Sequence, residues 1–198
     1  MMLSILIPTL TSRGHFYNRL HSQLSKLIAE SPFKDEIEII PLCDNRELTI
    51  GEKRNKLLEM ATGEYSAFVD DDDLVDGNYI KLIMQVLPDG FDGIGFKGLI
   101  FTDGKNPKSF IHKVGETYRE QGGIYYRPLN HLNPIKTSIM RKIGFPSLNH
   151  AEDFDFSNRL AESGLIKTTY FIDAHLYMYY FRSKKQELIN VPHHRNPA

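Results

Sequence analysis

Short apolar runs alternate with helically spaced apolar residues along the first half of the chain. Residues 3–9 (LSILIPT), 37–42 and 65–69 form the runs, a pattern typical of strands buried on both faces. After each run, apolar residues recur every three or four positions, which predicts three amphipathic helices. The apolar positions of these helices are Phe16, Leu20, Leu24, Leu27 and Ile28, then Leu57, Leu58 and Ala61, then Ile80, Ile83, Met84 and Leu87.

Two local signals bound the second helix. Thr49 is followed three residues later by Glu52, a capping-box pattern in which each side chain bonds the backbone N–H of the other residue. Gly63 stands where the helical spacing stops, as expected of a helix C-terminus.

The alternation of strands and helices predicts an α/β fold of the doubly wound type, with a mostly parallel central sheet flanked by helices. Ligands of such sheets bind in the crevice beyond the carboxyl ends of the strands. Thr9, Asp44 and Asp70 each lie at such an end. We therefore expect these three residues to meet at one edge of the sheet.

The second half of the chain has a less regular pattern. It predicts a hairpin, two helices that each end at a glycine, and a tyrosine-rich segment that forms either a final strand or a mobile closing segment. The hairpin strands are 93–101 and 108–114 around the turn-rich residues 102–107, the helices are 135–143 and 152–163, and the last segment is 175–181.

Composition and charge exclude several classes of protein. Over 198 residues, 24 Lys and Arg nearly balance 25 Asp and Glu, so the overall charge does not point to a polyanionic partner. The single cysteine, Cys43, excludes an intrachain disulfide framework and suits a reducing compartment. Because no apolar run is long enough to span a bilayer or resembles a signal peptide, we expect a cytoplasmic protein of one domain.

Four consecutive aspartates at 70–73 directly follow the third predicted strand. Adjacent carboxylates repel one another, so a fold that gathers them at a strand end normally recruits a cation or positive side chains there. The alternative is a solvated acidic turn in which Asp73 or Asp76 caps the next helix. A calcium-binding EF-hand is excluded because Leu74 and Val75 occupy the fifth and sixth positions of the loop. The position after a strand favours the metal site.

Six short motifs follow one another between residues 3 and 165. They are LSILIPT (3–9), the strand ending in Asp44, GEKRN (51–55), ATGEY (61–65), FVDDDD (68–73) and Glu152-Asp153. In this order they resemble the family 2 glycosyltransferases of the GT-A fold, and the ordered set is fairly specific although its members are weak alone. The resemblance implies a single nucleotide-sugar-binding domain over 1–198, with a nucleotide-binding half at 1–101 and an irregular acceptor-binding half with the C-terminal segment at 102–198.

The resemblance also implies which residues bind the nucleotide sugar and a divalent cation. A Mn²⁺ or Mg²⁺ ion would be held by Asp70 and Asp72, although the run of four leaves a shift to Asp71 and Asp73 open. Such an ion would neutralise the donor diphosphate and stabilise it as a leaving group. The nucleotide-sugar-binding residues would be Thr9, Asp44, Lys53, Arg54, Asn55, Asp70 and Asp71.

The charges on the second helix also admit a second interpretation. Arg54 shares the inward helix face with Leu58 and Ala61 at the open edge of the sheet, where a cation can reach a phosphate. The alternative is that Lys53 and Arg54 are an exposed pair of helical charges.

On the acceptor side, the resemblance implies that Asp153 is the general base that deprotonates the acceptor hydroxyl, with Glu152 orienting the site. On local grounds the same carboxylates suit an acidic first helical turn. His131 and Asn133 are candidate acceptor contacts. The candidates that would complete the metal shell are His175, His193 and His194.

The sequence therefore predicts a metal-dependent inverting glycosyltransferase that moves a sugar from a nucleoside diphosphate sugar to a hydroxyl acceptor. A uridine-linked donor is one option, and a nucleic acid is the least favoured acceptor but stays open. The chain has no tryptophan and no Gln/Arg-x-x-Arg-Trp motif, so we expect single addition rather than processive polymerisation. Two alternatives stay open: a nucleotidyltransferase that makes a nucleotide sugar, and a non-catalytic sugar- or nucleotide-binding module.

Overall fold

Ten strands and five α-helices occur in the computed structural model of the chain, which describes residues 1–182. The helices are α1 (Gly14–Ala29), α2 (Ile50–Met60), α3 (Tyr79–Val86), α4 (Thr137–Ile143) and α5 (Glu152–Ser163). The strands are β1 (Leu3–Leu10), β2 (Ile37–Asp44), β3 (Tyr65–Phe68), β4 (Leu74–Val75), β5 (Gly93–Thr102), β6 (Lys105–His112), β7 (Arg119–Gln121), β8 (Ile124–Arg127), β9 (Ile135–Lys136) and β10 (Thr169–Phe181).

All of these strands belong to one mixed sheet in the order β2-β1-β3-β9-β5-β6-β8-β7, with β10 paired to β5 and β4. The strands β2, β1 and β3 run parallel, as do β5 with β10 and β6 with β8. The other pairs are antiparallel, namely β3 with β9, β4 with β10, β5 with β6, β5 with β9 and β7 with β8. The α/β class and the mostly parallel central sheet are confirmed, but the sheet is mixed rather than purely parallel. Two of the antiparallel pairs, β5 with β6 and β7 with β8, are hairpins whose strands are joined by tight turns.

Strand β1 carries a hydrophobic core on each face of the sheet. Leu3, Ile5 and Ile7 belong to the core on one side, together with apolar residues of α1 and α3. Leu6 belongs to the core on the other side, with residues of α2, α4 and α5. Since successive side chains of a strand point to opposite faces, a continuous apolar run is what a strand covered on both faces requires.

The second helix begins at the predicted capping box. Glu52 N donates to Thr49 Oγ1 at 3.2 Å, and Thr49 N donates to Glu52 Oε2 at 2.8 Å. Two backbone donors at the helix start are thereby satisfied. Within residues 1–182, no helix has both the length and the apolar character needed to cross a membrane.

The predicted hairpin is present, but its turn is shorter than the sequence indicates. Strands β5 and β6 are joined by Asp103 and Gly104 alone, both with positive φ, 53° and 73°. An Asp-Gly pair suits a two-residue turn whose twist matches the flanking strands. Of the turn predicted at 102–107, Thr102 therefore belongs to β5 and residues 105–107 belong to β6.

Two boundaries nearer the site also differ from the prediction. The helix predicted over 135–143 begins only at Thr137, because Ile135 and Lys136 pair with β3 as a short strand. The segment 175–181 is the end of the long strand β10, which settles the choice between a strand and a mobile segment.

Asp92 ties three elements together just before β5, and we predict that Asp92→Asn destabilises the fold. Its carboxylate accepts from Lys136 Nζ at 2.9 Å and from the backbone N–H groups of Lys167 and Thr168 at 2.8 and 2.9 Å. The hydrogen bond from Lys136, together with those from the backbone, lowers the pKa of Asp92 to about 2. Urea unfolding at pH 7 should show a loss of about 1.5 kcal/mol.

This loss should depend on pH in a defined direction. The folded-state pKa lies below the unfolded value of about 3.9, so the contribution is complete above that value and is lost as the pH falls through about 2. The difference between wild type and variant should therefore shrink from pH 5 to pH 2. Asp89→Asn, at an exposed neighbouring aspartate, is the control. A loss independent of pH would contradict the assigned role of the charge.

Candidate active site

The carboxyl ends of β1, β2 and β3 meet at one edge of the sheet, as the sequence predicts. Thr9 Oγ1 at the end of β1 donates to Asp71 Oδ2, just beyond β3, at 2.7 Å. Lys53 reaches from the first turn of α2, donates to the Thr9 carbonyl at 2.7 Å and pairs with Asp44 at the end of β2. Burial opposes ionisation of Asp44, but the hydrogen bond from Lys53 outweighs it and lowers the pKa of that carboxyl.

Arg54 lies next to Lys53 on α2 and joins two motifs that are far apart in sequence. Its Nη2 is 3.0 Å from Asp70 Oδ1, its Nε is 3.2 Å from Glu152 Oε1, and its side chain is only 4% exposed. The guanidinium also lies over the rings of Phe68 and Phe145, 5.0 and 5.9 Å from their centroids. Burial raises the pKa of Asp70, but the charge of Arg54 outweighs it and the net direction is downward. The helical pair is therefore buried, and the interpretation of an exposed pair is wrong.

A close approach of the chain to α2 brings Glu152 to Arg54. A Cβ on Gly51 would lie 1.7 Å from the Pro146 carbonyl oxygen, so this position in GEKRN admits only glycine. Gly51 N donates to the Leu148 carbonyl at 3.1 Å and holds the loop before α5 against the start of α2. Ala151 then adopts φ 61°, a left-handed conformation that is uncommon outside glycine, immediately before Glu152. Backbone strain of this kind is often found at functional sites.

The sequence did not single out Arg13, which turns out to neutralise two of the four aspartates. Its Nη2 is 2.5 Å from Asp71 Oδ1 and 2.8 Å from Asp72 Oδ2, and its Nε donates to Asp71 Oδ2 at 3.1 Å. Burial lowers the pKa of Arg13, but the charges of Asp72 and Asp71 outweigh it and raise the value. The available signal was its place just after β1, since any cation there shares the sheet edge with the aspartate run.

Asp73 differs from the other three aspartates because it is completely buried. Its carboxylate accepts from Tyr177 Oη at 2.7 Å and from Tyr180 N at 2.8 Å, both in β10. Burial, followed by the charges of Asp70 and Asp72, raises the pKa of Asp73 well above its ordinary value. Asp73 lines neither of the cavities described below, so its geometry suits anchoring of β10 rather than ligand binding.

Two cavities adjoin one another at Arg54, Asp70 and Glu152. The larger, about 760 Å³, extends over the strand ends and carries Thr9, Arg13, Lys53, Asp71 and Asp72 in its wall. The smaller, about 280 Å³, extends toward β6 and β8, and Asp153 lies in its wall. The residues shared by both walls are Arg54, Asp70, Asn149, His150, Glu152 and Tyr179.

This arrangement can be compared with known proteins. A sequence model of the family described as Glycosyl transferase family 2 matches residues 18–148, more than half of the chain. The chain belongs to glycosyl transferase family 2. The expected family is thereby confirmed. No curated protein matches this family 2 chain at a significant level.

Solved structures with the same fold include TarS of S. aureus. TarS 1–349 in complex with UDP-GlcNAc has a TM-score of 0.71 and 18% identity over 92% of this chain and 59% of that one. The complex of TarS 1–349 with UDP has a TM-score of 0.68 and 19% identity over 95% of this chain and 62% of that one. At this identity the likeness shows the fold alone, and it confirms the GT-A architecture of this family 2 member. The chain spans less than two thirds of the length of either structure.

The predicted acceptor-side residues occupy different environments. His131 lies in the wall of the smaller cavity with Nε2 3.5 Å from Asp70 Oδ2, and neither ring nitrogen forms a hydrogen bond within the described residues. Asn133 is fully buried outside both cavities, where its amide oxygen lies 3.0 Å from His112 Nδ1 and its amide nitrogen donates to the Ile94 carbonyl. His131 therefore has a geometry suited to ligand contact, whereas Asn133 supports the surrounding loop.

The other predicted binding residues lie away from the cavities. Asn55 exchanges two hydrogen bonds of 2.8 Å with the backbone of Phe145 and lines neither cavity. His175 is exposed on β10 and its Nε2 is 2.9 Å from Ser109 Oγ. His193 and His194 lie outside the described residues. A metal-binding role for these histidines stays a prediction.

The donor set partly fits a divalent cation. Among residues 1–182, no three His, Cys, Asp or Glu side chains are grouped as a metal cage. Mg²⁺, however, is commonly held by one or two carboxylates together with substrate phosphates. Asp72 suits that mode because it lines the larger cavity, is 24% exposed and, within residues 1–182, forms a single ion pair, with Arg13. Asp70 also lines the cavity but is more strongly engaged, by Arg54 and His131.

We predict that Arg54→Met lowers the free energy of unfolding by about 3–5 kcal/mol, because it leaves the carboxylates of Asp70 and Glu152 close together without their shared cation. Urea unfolding measures this loss. Lys56→Met, at an exposed position on the same helix, should change stability by less than about 0.5 kcal/mol. Equal effects of the two substitutions would show that the buried ion pairs add no more to the free energy of unfolding than an exposed charge does.

Proposed function

We propose that this chain transfers a sugar from a nucleoside diphosphate sugar, with uridine as the nucleoside, to a hydroxyl acceptor. The observation that carries the proposal is the junction of the two cavities at Arg54, Asp70 and Glu152. A reaction at that junction would join a donor in the larger cavity to an acceptor in the smaller one. Membership in family 2 and the UDP and UDP-GlcNAc named with TarS support a uridine-linked donor.

The larger cavity has the size and charge for the donor. A volume of about 760 Å³ lies within the range of about 300–1,000 Å³ usual for small-molecule sites. Thr9, in the cavity wall, would face the base and ribose. Asp44 lines neither cavity and would approach the nucleotide from the end of β2, which Lys53 ties to β1 and α2. Three cations of the wall form ion pairs, namely Arg13, Lys53 and Arg54, and Arg13 has the most exposed side chain of the three. Its guanidinium suits a phosphate.

Asp72, assisted by Asp70, would hold a Mn²⁺ or Mg²⁺ ion together with the donor phosphates. When bound, such an ion neutralises the diphosphate and stabilises it as a leaving group. The alternative register, with Asp71 and Asp73, is disfavoured because Asp73 is buried against Tyr177 and Tyr180. Asp71 instead orients Arg13 and Thr9 at the cavity wall.

Asp153 would act as the catalytic base. Its carboxylate takes the proton of the acceptor hydroxyl while the acceptor oxygen forms a bond to the anomeric carbon. The bond from that carbon to the diphosphate oxygen breaks, and the nucleoside diphosphate leaves with the electron pair. Because the acceptor would approach from the smaller cavity, opposite the donor phosphates, a single displacement inverts the anomeric configuration. Glu152, held by Arg54 at 3.2 Å, would set the position of the helix start that carries the base.

Donor binding can be tested by thermal shift with UDP, UDP-GlcNAc, UDP-glucose and GDP, each with and without Mn²⁺. We expect stabilisation by the uridine compounds that increases with Mn²⁺ and amounts to about 2.7 kcal/mol at a hundred times the Kd. Asp72→Asn should abolish the Mn²⁺-dependent part. Asp89→Asn, at an exposed site away from both cavities, should not. If no nucleotide stabilises the wild type, the proposal of a nucleotide-sugar donor is wrong.

The role of Asp153 can be tested by release of UDP from the donor with a panel of saccharide acceptors. We expect Asp153→Asn to lower kcat by about 10²–10⁴-fold and to leave the Kd of UDP unchanged, because the base is used only in the chemical step. The matched control is Asp155→Asn, which removes the same charge from the same helical turn, where Asp155 pairs with Arg159.

The two alternatives give different results in these assays. A binding module would bind nucleotide but release no UDP, and Asp153→Asn would change nothing measurable. A nucleotidyltransferase would form a nucleotide sugar from a nucleoside triphosphate and a sugar 1-phosphate. Either result would replace the proposed transfer reaction.

A further inference from the structure

Arg13 is held by one aspartate more firmly than by the other. Two of its nitrogens, Nη2 and Nε, contact the two carboxylate oxygens of Asp71 at 2.5 and 3.1 Å. Only Nη2 contacts Asp72, at 2.8 Å. Asp71 is further fixed by the hydrogen bond from Thr9, whereas Asp72 is the more exposed of the two carboxylates. A paired, two-point contact restrains a guanidinium more than a single one does.

Under the proposed function, two cations therefore compete for the Asp72 carboxylate. In the structure its Oδ2 pairs with Arg13, and under the proposed function the same carboxylate holds the divalent ion. Two positive charges at neighbouring contact points repel strongly where the surroundings are partly buried. Binding of the ion must therefore weaken or break the contact between Arg13 and Asp72.

Arg13 can leave Asp72 without losing its anchors. Its side chain is 34% exposed in the wall of the larger cavity, and its guanidinium lies 5.5 Å from the centroid of the Phe16 ring. The contact with Asp71 and the ring contact keep the group at the cavity edge. Nη2 carries two hydrogens, so the N–H that leaves Asp72 can donate to another anion while Nη2 stays in contact with Asp71. A guanidinium binds phosphate well.

We propose that Arg13 is a positioning residue that couples cation binding to donor binding. Without ligands it neutralises Asp71 and Asp72 and keeps divalent cations out. When the cation and donor bind together, Arg13 gives up Asp72 and binds the diphosphate. This rests on the proposed function for the identity of the donor, but the exclusion of the cation is a property of the ligand-free protein. Cation and donor should consequently strengthen each other's binding, and this coupling is reciprocal.

The test measures Mn²⁺ binding by electron paramagnetic resonance and UDP binding by calorimetry, for the wild type and Arg13→Gln. Without nucleotide, Arg13→Gln should bind Mn²⁺ about tenfold more tightly, since its competitor is gone. At saturating Mn²⁺, the same variant should bind UDP about tenfold more weakly, because a charged contact to the diphosphate is lost. Opposite changes in the two affinities are not expected from a general structural defect.

The matched control is Arg19→Gln. Arg19 carries the same charge and touches Asp72, but its Nη2 donates to the backbone carbonyl at 2.8 Å and not to the carboxylate. Its substitution should change Mn²⁺ affinity less than about twofold. Arg13→Lys keeps the charge but lacks the planar fork that contacts Asp71 at two points, and it should fall between wild type and Arg13→Gln. It also serves as the test variant if Arg13→Gln does not fold.

The outcomes separate this inference from the proposed function. If Mn²⁺ affinity is unchanged or falls in both Arg13 variants, or if neither they nor the wild type bind Mn²⁺, the inference is wrong whatever the nucleotide results. If UDP fails to bind the wild type while Mn²⁺ affinity rises in Arg13→Gln, the exclusion of the cation holds and the proposed donor is wrong. Equal weakening of UDP binding in Arg13→Gln and Arg19→Gln would overturn the contact with the diphosphate.

Discussion

The site depends on one buried cation, Arg54, which holds one carboxylate from each half of the chain. Asp70 follows β3 and Glu152 begins α5, and both pair with the same guanidinium over the rings of Phe68 and Phe145. Without it, two carboxylates would face each other at low exposure, at a cost of several kcal/mol. With it, the larger and the smaller cavity share a wall. The arginine therefore holds together the place where the two cavities meet.

The same principle extends to the rest of the aspartate run, in which each carboxylate has a different partner. Asp70 pairs with Arg54, Asp71 and Asp72 share Arg13, and Asp73 is buried against Tyr177 and Tyr180. Four charges that would repel one another in an open turn are thus divided between two arginines and a tyrosine-bearing strand. This division leaves Asp72 as the carboxylate most available to a ligand. It also makes β10 part of the site, because β10 carries the partners of Asp73.

Gly51 and the strained Ala151 determine how the loop before α5 packs against α2. Gly51 permits the Pro146 carbonyl to approach α2 more closely than any side chain would allow. Ala151 adopts a left-handed conformation at the start of α5, which turns Glu152 toward Arg54. Both features are local departures from regular structure, and both help to position Glu152 and Asp153 at the start of α5. The same region is packed by the stacked rings of Phe145 and Phe156, whose centroids are 4.4 Å apart.

The sequence by itself determined the strands and helices of the first half, the capping box at Thr49 and the sheet edge where Thr9, Asp44 and Asp70 meet, because each follows from local periodicity and from chain order. Only the tertiary structure decided how β9 and β10 pair, since their partner strands lie far away in sequence and leave no periodic signal. It alone also decided the division of the aspartates, which depends on cations that approach from other elements. Arg13 and the burial of Asp73 belong to this second group: neighbours in space, rather than neighbours in sequence, determine their charge environment.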